Sequence, residues 1–125
     1  MFSKIDYIMV NVSDMPRSVA FYRDTIGFPL KFESPGWTEF NTGASTLALH
    51  LAEVATGGGV QKGPCAGSCS IGFSVTNLEA TVADLQKRGA RFVIPPTVQE
   101  AEGIKLAVCI DPDGLAVSFA EPLKK

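Results

Sequence analysis

Hydrophobic residues recur at every second position near the start of the chain, within residues 4–12. A period of two is typical of a strand with one face against a core, because successive side chains of a strand point to opposite faces. The pattern therefore predicts a first strand with a covered side and an open side. The covered side consists of Ile8, Val10 and Val12, and the open side consists of Tyr7, Met9 and Asn11.

A helical pattern follows this strand. Asp14 is a residue type that favours the N-cap of a helix, and Pro16 falls in the first turn, where its missing N–H costs nothing. Gly27 is expected to end the helix, since glycine is the usual residue just past a C-terminus. Apolar residues recur between these limits at spacings of three and four, which predicts one buried stripe. The stripe consists of Met15, Val19, Tyr22 and Ile26.

The second half of the chain repeats this pattern at an offset of 63 positions. A strand ends at Val75, 63 positions after Val12, and Asn77 takes the N-cap position of a second helix that Gly89 ends. The stripe residues also repeat at this offset, so the sequence predicts two similar modules. The second stripe consists of Leu78, Val82 and Leu85.

Three short strand candidates follow each predicted helix. They are Leu30–Glu33, Trp37–Asn41 and Thr46–Glu53 in the first half, and Arg91–Ile94, Ile104–Ile110 and Leu115–Ala120 in the second. The segment Asp111-Pro112-Asp113-Gly114 predicts a tight turn before the last strand. We therefore expect an α+β fold of two βαβββ modules, 1–54 and 69–125, joined by a Gly-rich linker, 55–68. Their curved mixed sheets would enclose one cleft.

Composition narrows the classes of function. A chain of 125 residues is expected to form one compact domain, and its net charge of −2 gives no electrostatic reason to expect nucleic acid or a membrane surface as a partner. No apolar run approaches the ~20 residues that span a bilayer. Because the N-terminus leads directly into a strand-like segment, we expect no signal peptide and a cytoplasmic setting. The three cysteines are expected to be ordinary thiols, with a redox pair at Cys65 and Cys69 as the alternative.

Several of these motifs occur together, in order, in a known family. They are Ile5-Asp6-Tyr7-Ile8, Val12-Ser13-Asp14 with Ser18, Phe21-Tyr22-Arg23, Gly27-Phe28 and Asp111-Pro112-Asp113-Gly114. The set resembles the vicinal oxygen chelate superfamily, which includes glyoxalase I, bleomycin-resistance proteins and extradiol dioxygenases. The resemblance implies paired βαβββ modules, a cup-shaped cleft and, in many members, a homodimer.

The resemblance also implies where metal-dependent members carry their ligands. The corresponding positions here are Tyr7, His50, Ser70 and Ser118. Only His50 is a strong donor for a divalent metal, whereas catalytic metal sites usually have about three strong protein ligands. We therefore expect neither a metal nor another cofactor, and the sequence identifies no catalytic residue.

His50 is the only histidine and falls on the open side of its strand. It could be a polar residue satisfied by a neighbour, a group that contacts a ligand, a general acid or base, or a metal ligand helped by Glu39. Imidazole suits acid–base work because it titrates near pH ~6.5. The resemblance also implies that the positions of Tyr7 and His50 converge, so that Tyr7 could hydrogen-bond to His50 across the cleft.

Other residues are expected to line the cleft beside His50. Trp37 would either stack on a planar ligand or pack against its own hairpin, and Glu39 would be either a polar anchor or a solvated charge. Met9 and Cys109 would add apolar, deformable surface to the wall. Ser70 and Ser118 would contribute hydroxyl groups.

The sequence thus favours a metal-independent small-molecule-binding protein that resembles bleomycin-resistance proteins. It would sequester an aromatic or amphiphilic ligand, as a homodimer. The alternative is a glyoxalase-like lyase or isomerase that uses His50 with Glu39 or Tyr7, with or without a divalent metal. A third interpretation is a structural module whose dimer surface is its function.

Overall fold

A computed structural model of the protein describes residues 5–52 and 69–123. The chain divides into two compact units, Met1–Gly59 and Val60–Lys125. The predicted linker, 55–68, and with it Cys65 of the possible redox pair, lies outside the described residues. Each unit is described by itself below.

The first unit is a four-stranded sheet with one helical segment. Its elements are β1 (Tyr7–Val12), α1 (Met15–Ala20), a π-helix (Phe21–Ile26), β2 (Leu30–Phe32), β3 (Trp37–Asn41) and β4 (Thr46–Leu51). The strand order is β1-β4-β3-β2, with β1 parallel to β4 and the other neighbours antiparallel. The crossover from β1 to β4 brings the first and last strands of the unit side by side.

The second unit has the same topology. Its elements are β5 (Ile71–Ser74), α2 (Leu78–Lys87), β6 (Arg91–Gln99), a short 3-10 helix (Glu100–Glu102), β7 (Ile104–Ile110) and β8 (Ala116–Pro122). The strand order is β5-β8-β7-β6, with β5 parallel to β8. The predicted α+β fold of two βαβββ modules, each with a mixed sheet, is therefore confirmed.

One face of each sheet is covered by its own helical segment. In the first unit, Leu47 and Leu49 of β4 are buried with Val10, and α1 packs against β4. Val19 and Tyr22 supply the helical side of this core and are each only 1% exposed, as the stripe predicted. Ile8 was predicted on the same covered side but is 48% exposed, because β1 is the edge strand of its sheet.

Both predicted N-caps are present. Asp14 Oδ1 accepts a hydrogen bond from the Arg17 N–H at 3.0 Å, and Asn77 Oδ1 accepts one from the Ala80 N–H at 3.1 Å. These bonds satisfy N–H groups that have no partner within the helix itself. The repeated strand–cap–helix motif therefore has the same physical basis in both units.

The first helical segment departs from a continuous α-helix. The backbone N–H groups of Gly27 and Phe28 both donate to the Tyr22 carbonyl, at 3.1 and 3.0 Å. In the second unit Ala90 closes the equivalent turn on Leu85 at 2.9 Å. Leu85 follows Tyr22 by 63 positions, whereas Ala90 follows Phe28 by only 62. The first unit thus has one extra residue after Tyr22, and the wider π-helix accommodates it.

Strand β6 is longer than predicted. The sequence predicted Arg91–Ile94, but the strand continues through Pro95 and Pro96, which cannot donate hydrogen bonds within a sheet, to Gln99. It tolerates both prolines because it is the edge strand and its pairing with β7 shifts register twice around them.

The predicted turn between β7 and β8 is organised by one buried carboxylate. Asp111 is 3% exposed, and its Oδ1 accepts hydrogen bonds from the N–H groups of Asp113 at 2.9 Å and Leu115 at 2.8 Å. Gly114 has a φ of 89°, a left-handed conformation that glycine adopts without strain. This turn fixes how β7 and β8 pair.

Candidate functional site

The side of the first sheet opposite the helical segment carries most of the predicted site residues; we call it the open face. Strand pairing places Met9 beside Ala48, and places Asn11 and Trp37 on either side of His50. Residues directly opposite each other on neighbouring strands point to the same side of a sheet. The open face consists of Tyr7, Met9 and Asn11 of β1, Thr46, Ala48 and His50 of β4, and Trp37 and Glu39 of β3.

Two aromatic side chains meet on the open face. The ring centroids of Tyr7 and Trp37 are 5.5 Å apart, and the rings are inclined at 79° in an edge-to-face contact. Because β1 and β3 flank β4, rings that meet from these two strands pass over β4, whose Ala48 is fully buried. A small residue on the central strand therefore leaves room for an aromatic surface above it.

Glu39 is tied to this aromatic pair. The Trp37 Nε1–H donates a hydrogen bond to Glu39 Oε2 at 2.8 Å, and both residues are half-buried. The two side chains are two positions apart on β3 and so lie on the same side of the sheet. This bond fixes the orientation of the indole and holds a carboxylate at the edge of the aromatic surface.

His50 is oriented by an amide. Its Nδ1 lies 3.0 Å from Asn11 Oδ1, and an amide oxygen can only accept, so the contact assigns a proton to Nδ1 and, in the neutral form of the ring, the lone pair to Nε2. Nε2 is then left as an acceptor. The possible hydrogen bond from Tyr7 to His50 is not formed: Tyr7 pairs with Thr46, four positions from His50 along β4, and its ring contacts Trp37. Trp37 also contacts His50, with centroids 6.1 Å apart.

Met9 and Phe32 add apolar surface around these groups. Met9 lies on the open face and is 42% exposed. Phe32 was not predicted; it pairs with Glu39 after a register shift in the short strand β2 and is 47% exposed. Strict alternation along β2 would put Phe32 on the same side as Leu30, which is the covered side. The register shift between Leu30 and Phe32 instead puts Phe32 beside Glu39 on the open face.

The predicted site residues of the second unit are placed differently. Ser70 is exposed just before β5. The Ser118 hydroxyl is half-buried and donates to the Ile71 carbonyl at 3.4 Å. A Cβ atom added to Gly72 would lie 3.2 Å from Ser118 Oγ, so the glycine leaves space for this hydroxyl. The two serines are thus not gathered into a polar cluster like that around His50.

Cys109 is a core residue, and its expected position on the wall is wrong. It is fully buried and pairs with the equally buried Val117, which points to the covered side of the second sheet. Burial raises the pKa of the Cys109 thiol to about 11. The group is therefore a neutral hydrophobic side chain at neutral pH.

A divalent metal does not fit the donors of the open face. Within residues 5–52 and 69–123, no group of three or more His, Cys, Asp or Glu side chains is arranged to hold a metal ion. On the open face, His50 uses Nδ1 to bind Asn11, and one oxygen of Glu39 is bonded to Trp37. Imidazole and a single carboxylate fall short of the usual three strong ligands.

A separate surface pocket of about 650 Å³ lies at the start of α1, between residues 13–16 and 33–35. None of the predicted site residues lines it. In the part of the chain that the structure describes, no helix has the length and apolar character needed to cross a lipid bilayer.

Solved structures share this fold. A glyoxalase family protein from Enterococcus faecalis is 23% identical, with a TM-score of 0.81, and the match covers 96% of this chain and 98% of that one. TnmS3, an antibiotic binding protein from Streptomyces sp. CB03234, is 24% identical, with a TM-score of 0.75 and 97% of each chain covered. A glyoxalase/bleomycin resistance protein/dioxygenase from Nocardioides is 21% identical, with a TM-score of 0.78, covering 99% of this chain and 86% of that one.

No curated protein sequence is similar enough to this chain to count as a match. The sequence model of one family does match, over residues 4–119, which is nearly the whole chain. This match agrees with the two βαβββ units, and the chain belongs to the Glyoxalase/Bleomycin resistance protein/Dioxygenase superfamily.

Proposed function

We propose that the protein binds a small aromatic or amphiphilic molecule on the open face, without a metal, as bleomycin-resistance proteins bind their ligands. The observation that carries the proposal is the contact between Tyr7 and Trp37 on a sheet face that the helix of its own unit leaves uncovered. Exposed Met9 and Phe32 extend the apolar area. The fold shared with TnmS3, described as an antibiotic binding protein, supports the same class of function.

The physical basis of such binding is burial of flat apolar surface. Each Å² of apolar area removed from water contributes about 25 cal/mol, and a well-placed aromatic contact adds about 0.5–1.5 kcal/mol. Trp37 is held in place by Glu39, so little side-chain freedom remains to be lost on binding. The polar atoms of Glu39 and His50 would then orient the ligand.

Calorimetric titration with acridone, a neutral planar tricycle, tests the proposal. We expect saturable binding that Tyr7→Ala weakens by about 5- to 10-fold, because the ligand loses one aromatic contact and its buried area. Val98→Ala is the matched control, since Val98 is similarly exposed, at 48%, but lies on β6 of the second unit. Equal affinity of the wild type and Tyr7→Ala, or a larger loss in Val98→Ala, would contradict the proposal.

One observation favours a second candidate function, that of a glyoxalase-like lyase or isomerase. In the neutral ring, the bond between Asn11 and His50 leaves Nε2 as the acceptor, the form of imidazole that can remove a proton next to a carbonyl. Deuterium exchange at such a carbon, followed by NMR in heavy water, would detect this step in a panel of small carbonyl compounds. Deuterium exchange that is lost in His50→Gln would support an enzymatic function with His50 as the base. Exchange unchanged by that substitution would exclude His50 as the base.

We also propose that the protein is a homodimer and acts in the cytoplasm. Sedimentation velocity would measure twice the mass of the 13.3 kDa chain for the dimer. A single species of monomer mass at micromolar concentration would contradict it. Fractionation of the source cells tests the location, and recovery in the membrane or secreted fraction would contradict that proposal.

A further inference from the structure

We propose that the molecule bound at the open face is a planar cation, such as a protonated amine on an aromatic ring system, and that Glu39 selects it. This inference rests on the function proposed above and adds the charge of the ligand. It follows from what surrounds the Glu39 carboxylate.

The Glu39 carboxylate has acceptor capacity that the described residues leave unused. An ionised carboxylate offers about four lone-pair positions, and here Oε2 accepts one hydrogen bond, from Trp37 Nε1. Among residues 5–52 and 69–123, no lysine or arginine forms an ion pair with Glu39. Within that part of the chain, Oε1 has no donor and is open to one from a ligand.

The surroundings of Glu39 favour a cation beside its unbonded oxygen. The residue is half-buried and pairs across the sheet with Ala48 on one side and Phe32 on the other. A charge that loses part of its hydration beside apolar groups gains free energy when an opposite charge replaces the lost water. A neutral ligand would bury the carboxylate further and offer at most a neutral hydrogen bond in exchange.

The neighbouring aromatic rings attract the same charge. Cations bind over the faces of tryptophan and tyrosine because the ring faces carry negative charge density. The hydrogen bond from Trp37 Nε1 to a carboxylate draws the N–H toward a negative group and increases the electron density of the indole ring. A cation beside Glu39 would therefore contact both the carboxylate and the Trp37 face.

The remaining polar groups of the open face are compatible with a donor-rich cation. In its neutral form His50 presents Nε2 as an acceptor, because Nδ1 carries the proton that is bonded to Asn11. The ammonium group of Lys31, on β2, contacts Thr46 Oγ1, at the opposite end of β4 from His50. Glu39 lies between these two ends, since it pairs with Ala48, two positions from each, and its bond to Trp37 Nε1 joins it to the end that carries Trp37 and His50.

Two ligands of nearly equal shape but different charge separate the contribution of charge to the affinity from that of stacking. Aminacrine is a planar cation at neutral pH, and acridone is its neutral tricyclic counterpart. We expect the wild type to bind aminacrine on the order of tenfold more tightly than acridone, since hydrogen bonds to charged groups are about twice as strong as neutral ones. The measurement is calorimetric titration of both compounds at low and at moderate salt.

Glu39→Gln removes the charge but keeps an oxygen for the Trp37 N–H. We expect this variant to bind both compounds with affinities within about threefold of each other, with acridone binding unchanged from the wild type. Glu102→Gln is the control, since it changes the net charge equally at an exposed position of the second unit. It should keep the wild-type preference.

The outcomes distinguish this inference from the proposed function. Equal binding of the two compounds by the wild type would refute selection of a cation and leave the binding function standing. A preference that persists in Glu39→Gln, or that is also lost in Glu102→Gln, would refute the role of Glu39. Failure of both compounds to bind saturably would overturn the proposed function together with the inference.

Discussion

Replacement of Asp111 tests how a single buried carboxylate holds the turn between β7 and β8. In Asp111→Ala, the N–H groups of Asp113 and Leu115 lose their acceptor, which lies 2.9 and 2.8 Å away in the native turn. Leaving a donor unsatisfied costs about 1–3 kcal/mol, and water can reach part of this turn because Asp113 and Gly114 are exposed. We therefore expect a loss of about 2–4 kcal/mol in the free energy of unfolding.

Urea denaturation followed by circular dichroism measures this loss. With an m value of about 2 kcal/mol per molar urea, the midpoint of Asp111→Ala should fall by about 1–2 M with the slope unchanged. Asp111→Asn is the matched control, since the amide keeps an oxygen at the acceptor position and should cost about 1 kcal/mol. A loss under about 0.5 kcal/mol in Asp111→Ala, or equal losses in both variants, would refute this account of the turn.

Two further predictions concern buried and bridging groups of the second unit. Because burial raises the pKa of Cys109 from 9.0 to about 11, the native protein binds its proton more tightly than the unfolded chain, and stability should fall as pH rises from 9 to 11. The stability of Cys109→Ala should fall less over that pH range. Iodoacetamide at neutral pH should label exposed Cys69 in the native protein but react with Cys109 only in urea. Equal labelling of Cys69 and Cys109 in the native protein would contradict burial. Glu121 Oε1 accepts the Leu78 N–H at the start of α2 at 2.6 Å, so Glu121→Ala should lower the free energy of unfolding by about 1–3 kcal/mol and Glu121→Gln by less, as measured by urea denaturation. Equal stability of Glu121→Ala and the wild type would exclude that role.

Features that depend on near neighbours in the chain could be predicted from the sequence. Asp14 and Asn77 cap helices through bonds that span three residues, and the turn at Asp111 closes over four. Their residue types encode the geometry directly. The two modules were predictable for the same reason, because caps, stripes and turns recur in the same order in both halves.

The sequence carries a signal for the π-helix in the unequal spacing of its caps and its helix-ending glycines. The caps Asp14 and Asn77 are 63 positions apart, whereas the helix-ending glycines Gly27 and Gly89 are 62 apart. The difference of one residue marks the insertion in the first unit. The extra residue is accommodated in a widened turn that keeps the Tyr22 side chain in the core. The periodicity of apolar residues alone does not predict that the turn widens.

Pairing between strands decided the predictions that were wrong at the site. Cys109 pairs with Val117, a register that follows from the hairpin closed by Asp111, so its burial could have been derived from the turn. The partner of His50 could not have been derived in this way, because Asn11 and His50 are 39 residues apart and meet through the parallel pairing of β1 with β4. Nothing local in the sequence fixes a parallel register of that length.

The most direct test of the account follows the indole N–H of Trp37, the only tryptophan in the chain, by NMR. During titration with acridone, this resonance and the amide resonances of β1, β3 and β4 should shift together and saturate at one ligand concentration. Shifts that saturate elsewhere in the chain while the Trp37 indole resonance stays fixed would contradict a binding surface on the open face.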